Sequence, residues 1–127
     1  MNRTVESVWE GGYRCAVRAG RFELIVDEPE SVGGTDAGPQ PTDLFLASVA
    51  SCFTLAIAHV AGKRGVPLGD VQVTATGTYD GPSFAEIVID VHCSPSPPGL
   101  DGLLAAAERV CYVSNTLRRA PTLHVRS

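Results

Sequence analysis

Chemistry in this chain must come from a short list of side chains. It carries four cysteines, Cys15, Cys52, Cys93 and Cys111, and three histidines, His59, His92 and His124. A zinc site needs ligands at close, recurrent spacing. Here His59 is seven residues from Cys52, two helical turns or about 10 Å along an axis. His92 and Cys93 are neighbours and point to opposite faces of a strand. No metal site is expected. Gly-x-Ser-x-Gly is missing, so a hydrolase triad has no support. Gly-x-Gly-x-x-Gly and the Walker loop are missing too, so no nucleotide cofactor is expected. Thiol chemistry remains. No two cysteines form Cys-x-x-Cys, and four are too few for a secreted disulfide scaffold. A thiol buried among apolar groups has a raised pKa and is inert, so reactivity asks for a stabilising neighbour. Arg14, Arg18 and Arg21 are the candidate cations.

The elements that would carry these residues can be read from periodicity. Val5–Trp9 reads as a weak strand. Tyr13–Arg18 alternates, Ala19-Gly20 turns, and Arg21–Val26 returns as a hairpin. Residues 29–41 are loop, broken by Gly33-Gly34 and by Pro39 and Pro41. A helix starts near Pro41, where proline removes no needed donor, and Asp43 suits its positive end. Gly62 and Gly65 end it. Val71–Tyr79 alternates strictly, Asp80–Ser83 turns, and Phe84–His92 is a second strand. After Pro95–Gly99 a second helix begins near Leu100. Its face of Leu103, Leu104, Ala107, Val110 and Cys111 has the spacing of a buried stripe. Pro121–Arg126 is expected as a last short strand. This order makes an α+β fold in one domain, residues 1–127. Cys52 then sits mid-way along the first helix and Cys111 late on the second. Their apolar faces are expected to pack together.

Composition narrows the class further. The 127 residues carry ten Lys+Arg against fourteen Asp+Glu, a formal charge of -4, so nucleic acid is not an expected partner. From Leu44 to Gly62 there are nineteen residues without a charge. That run is long enough to span a bilayer, but it holds Ser48, Ser51, Thr54 and His59 and is flanked by strands. A buried helix is the expectation, with no membrane partner. The N-terminus has no apolar leader, so a cytoplasmic protein with reduced thiols is expected.

The segment Gly38-Pro39-Gln40-Pro41-Thr42-Asp43-Leu44-Phe45-Leu46-Ala47-Ser48-Val49-Ala50-Ser51-Cys52 resembles the loop-to-helix signature of the OsmC/Ohr family, the osmotically inducible and organic-hydroperoxide-resistance proteins. Cys111-Tyr112-Val113-Ser114-Asn115-Thr116-Leu117 resembles the family's second cysteine, which closes one helix and opens a short one. The likeness runs from about Gly11 to Val125 in the same element order. It is closest to the general OsmC-like branch: Gly11-Gly12-Tyr13-Arg14 stands where the hydroperoxide reductases have Gly-Gly-Arg, Thr42 takes the acid's place with Asp43 next to it, and Tyr112 replaces a proline.

This resemblance implies an intertwined homodimer whose long central helices are enclosed by sheets from both chains. It also implies a thiol peroxidase. Cys52 would attack a small organic hydroperoxide and become a sulfenic acid. Cys111 would condense with it to a disulfide, and an external dithiol, lipoyl- or thioredoxin-like, would reset the pair. Arg14 and Asp43 are the carry-over candidates for the family's activating arginine and acid. Nine residues separate Asp43 from Cys52, which puts them on opposite faces of one helix. Two other readings fit the same fold: a redox sensor or reductase of another electrophile, and a ligand-binding protein with structural cysteines. Cys15, Cys93 and His59 have no assigned role beyond packing.

Overall fold

The computed structural model describes residues 1–127. The chain divides into two compact units, Met1–Phe45 and Leu46–Ser127, with the boundary in the first turns of a long helix.

In the first unit three short strands form an antiparallel meander: β1 (Val5–Trp9), β2 (Cys15–Ala19) and β3 (Phe22–Val26). Val5 lies opposite Ala19, and Ala19 opposite Phe22. The β2–β3 connection is two residues, Gly20-Arg21. Gly20 alone has positive φ, 62°, the backbone that glycine adopts at no steric cost at the first position of such a turn. Arg14 falls in the turn before β2 rather than on the strand the alternation predicts.

The loop after β3 is organised by one side chain. Asp27 is buried, and its carboxylate accepts from the Glu28 amide (2.7 Å), the Thr35 hydroxyl (2.5 Å) and amide (3.3 Å), and the Ala37 amide (3.1 Å). The loop folds so tightly around it that a Cβ on Gly34 would strike the Glu28 carbonyl. Of the two glycines that read as chain breakers, Gly34 is therefore a close-approach position, and Gly33 takes a positive φ of 97°.

The second unit contains α1 (Pro41–Arg64) from Leu46 onward, the hairpin β4 (Asp70–Asp80) and β5 (Ser83–Ser94), then α2 (Leu100–Val110) and α3 (Tyr112–Arg118). The hairpin pairs Asp70 with Ser94 and has an irregularity at Thr78/Tyr79. Its alternation is clean, with Val71, Val73, Ile89 and Val91 on the covered side. The core joins Phe53, Ala56, Ile57, Val60 and Ala61 of α1 to Leu103, Ala106 and Ala107 of α2 and to Cys111. The two helices thus pack as their apolar faces demand. Gly62 stays inside α1, and Gly65, at φ 65°, follows its last residue.

By length and composition α1 is the single helix that meets the requirement for crossing a membrane. One face, Val49, Phe53, Ala56, Ile57, Val60 and Ala61, is buried. The opposite face is built from Ala47, Ser48, Ser51, Leu55, Ala58, His59 and Gly62, all exposed. One sequence expectation fails outright: Pro121–Arg126 forms no strand. A strand is held by a neighbour's backbone groups, and no strand of this chain pairs with the segment. Its alternating Leu123 and Val125 are left 88% and 93% exposed.

Candidate functional site

Cys52 and Cys111 are brought together by a break between helices. Cys111 is the single extended residue, φ -80° and ψ 109°, that ends α2 and caps α3. Its carbonyl accepts from the Asn115 amide at 3.0 Å, and the Asn115 side chain reaches back to the Arg109 carbonyl at 3.1 Å, closing the end of α2. This kink turns the Cys111 thiol inward, where the residue is 0% exposed. On α1 the half-buried Cys52 packs against the same cluster.

Both thiols are free, and the Cys52 thiol donates a hydrogen bond to Cys111 Sγ. Desolvation raises the pKa of Cys52, and the bond to Cys111 and the charge there raise it further, against the lowering pull of the Val113 and Tyr112 amides. For Cys111, desolvation is outweighed by donors. The Ser114 hydroxyl and amide, the Cys52 thiol and the Val113 amide together hold its pKa below the ordinary thiol value. The Ser114 hydroxyl also lies 3.3 Å from the Cys111 carbonyl. Within the pair Cys52 is therefore the harder thiol to ionise and Cys111 the easier.

Access is unequal in the opposite sense. Cys52 lines a cleft of about 510 Å³ with Leu55, Ala56, His59, Val110 and Tyr112. Cys111 is not among the lining residues. A ligand entering the cleft meets apolar walls, one imidazole and the Cys52 sulfur, with Cys111 behind it.

The other sequence candidates have partners within the first unit. Arg14 gives its Nε to Glu10 Oε1 at 3.0 Å, and both are in the first unit. Arg18 faces its cross-strand partner Glu23 at 3.8 Å, and Arg21 stacks over the Phe22 ring at 5.0 Å. Asp43, in the first turn of α1, accepts from Gln40 Nε2 at 3.4 Å. Cys15 and Cys93 are half-buried on β2 and β5. No three His, Cys, Asp or Glu side chains gather closely enough to hold a metal ion.

Sequence reasoning missed Ser114 and the Tyr112 and Val113 amides. Ser114 left one trace, a polar residue at i+3 from Cys111 in a segment that buries its cysteine. The amides left none, since their direction depends on the kink.

The family model for OsmC-like protein matches residues 34–126, which include both cysteines, the kink and the helix that carries Cys52. The chain belongs to the OsmC-like protein family. A relative from Haloferax volcanii is 31% identical over 116 residues, 88% of this chain and 84% of its own. An OsmC-like protein of Mycoplasma pneumoniae has the same fold at 15% identity, with a TM-score of 0.77 over 94% of this chain and 89% of its own. An organic hydroperoxide resistance protein, OsmC, of Legionella pneumophila is 27% identical, with a TM-score of 0.67 over 94% and 90% of the two chains. The mixed α+β reading therefore holds at the level of family and fold.

Proposed function

We propose that residues 1–127 act as a single OsmC-like domain and that this domain is a thiol-dependent peroxidase of organic hydroperoxides. The observation that carries the reading is the dithiol itself: an accessible Cys52 at an apolar cleft, hydrogen-bonded to a buried Cys111 of lowered pKa.

The arrangement suggests how a thiol with a raised pKa still attacks. Cys52 sulfur displaces the alkoxide from the terminal peroxide oxygen, and its proton passes to the Cys111 thiolate. That proton then goes on to the departing alkoxide, directly or through water. The products are Cys52 sulfenic acid and an alcohol, and Cys111 is again a thiolate. Cys111 attacks the sulfenic sulfur, hydroxide leaves, and a disulfide forms. An external dithiol reduces the disulfide and is itself oxidised. The Tyr112 and Val113 amides stabilise charge that develops on Cys52 sulfur during attack. Arg14 and Asp43 are not needed for this sequence of steps.

The same reading includes a homodimer in the cytoplasm. The exposed small-residue face of α1 and the solvated Leu123 and Val125 are surfaces that a second copy would cover. The test is direct. Reduced protein supplied with cumene hydroperoxide and dihydrolipoamide should form cumyl alcohol over many turnovers. Cys52→Ser should fall to the uncatalysed rate, and Cys111→Ser should give one turnover and then stop as an oxidised Cys52. Equal peroxide loss with wild type and Cys52→Ser would show that the cysteines are structural.

A further inference from the structure

The charge of this chain is unevenly placed. Its formal balance is -4, yet from Arg109 to Ser127 there is no Asp or Glu, while Arg109, Arg118, Arg119 and Arg126 all fall there. Arg118 is paired with Glu108. Arg109 and Arg119 instead line an open pocket of about 570 Å³ with Tyr112, Asn115 and Thr116. No carboxylate lines it. Two positive side chains lining one pocket, with no acid in the lining, favour an anion there.

This pocket adjoins the thiol cleft. Tyr112 lines both, and Val110 of the cleft is next in sequence to Arg109 of the pocket. Arg119 follows α3 seven residues after Tyr112, about 10 Å along the helix. The Asn115 side chain, donating to the Arg109 carbonyl, ties α3 to the end of α2.

We propose that Arg109 and Arg119 form an oxyanion subsite for the far end of the molecule that occupies the Cys52 cleft. The occupant is then an elongated amphipathic compound. Its anionic head sits on the two arginines, its apolar body runs along Tyr112, Val110 and Leu55, and its reacting group lies at Cys52. The assignment of a hydroperoxide to that reacting group rests on the peroxidase reading. The anionic head does not, because it follows from the arginines alone. A free inorganic anion has the same chemistry, so the test separates the two.

The probes are 4-carboxycumene hydroperoxide, its methyl ester and the unreactive 4-isopropylbenzoate. Wild-type protein should prefer the carboxylate to the ester in kcat/KM. Arg109→Gln/Arg119→Gln should raise KM for the carboxylate roughly tenfold, as expected for loss of charge-assisted bonds, and leave the ester unchanged. Independently of turnover, amide chemical shifts of the Cys52→Ser protein should report 4-isopropylbenzoate at both Arg109 and Leu55, and inorganic phosphate at equal ionic strength should weaken this binding. If the double variant treats carboxylate and ester as wild type does, and binds 4-isopropylbenzoate equally, the subsite is wrong. If phosphate binds and 4-isopropylbenzoate shifts nothing in the cleft, the site takes a free anion and the head-group assignment is overturned. If no hydroperoxide is consumed, the peroxidase reading fails, and the shift titration still decides the subsite.

Discussion

At the residue scale the informative feature is the division of labour between two sulfurs. The accessible thiol is the harder to ionise and the buried thiol the easier, because Ser114 and the Val113 amide donate to Cys111 while Cys52 is desolvated and meets any charge that forms on Cys111. Each sulfur sets the other, so the substitutions act in opposite directions. Cys111→Ser removes the acceptor and the repelling charge, and the Cys52 pKa should fall. Cys52→Ala removes a donor to the Cys111 thiolate, and the Cys111 pKa should rise. Ultraviolet thiolate absorbance against pH reads both. Were the first thiolate of the wild type to survive Cys111→Ser unchanged, Cys52 would be the anion and the proton relay would fall.

At the scale of elements, two devices hold the chain. One is the Cys111 kink, a single extended residue between α2 and α3. The other is Asp27, whose carboxylate gathers the loop between β3 and α1. The Thr35 hydroxyl, with the amides of Ala37, Glu28 and Thr35, overcomes the cost of desolvation and brings its pKa from 3.8 to about 2. A depressed acid stabilises the fold above its unfolded pKa, and that contribution is lost as pH falls through the folded value. The window therefore lies between about pH 4 and pH 2. Asp27→Asn should melt at a lower temperature than wild type at neutral pH, and the difference should shrink on acidification through this window. A constant difference from pH 7 to pH 2 would show that the carboxylate charge contributes nothing. The strand alternation, the Pro41 start of α1 and the apolar stripe of α2 were all legible in the sequence, because each is a local period or a local backbone rule. The Asp27 staple was not, since its partners lie up to ten residues away in a loop without periodicity.

For the whole molecule, the uncharged run from Leu44 to Gly62 poses the question of cover. Core packing against α2 answers it for one face only. Leu55 remains 70% exposed on the other, beside Tyr112 at 84%, and both line the Cys52 cleft. In the proposed dimer the partner covers this face and completes the walls of the cleft. Each Leu55 left solvated forfeits about 1.5–3 kcal/mol, so Leu55→Asp should raise the dimer dissociation constant at least about tenfold. Sedimentation equilibrium reads this, and peroxide turnover should fall in parallel with dissociation. A wild-type protein that sediments as a folded, fully active monomer at every concentration would remove the dimer from the account.

Legible in the sequence alone were the elements from β1 to α2, the family and the two cysteines that meet. These follow from short-range periodicity and from two motifs. Only the folded chain shows which thiol is the easier to ionise, what the arginines pair with and which expected strand does not form. Arg14, one of three candidate cations, pairs with Glu10, and two arginines outside the motifs line an open pocket beside the cleft. Ease of ionisation depends on donor direction and desolvation, and a strand depends on a neighbour's edge. Those are properties of residues distant in the chain, and no local pattern encodes them.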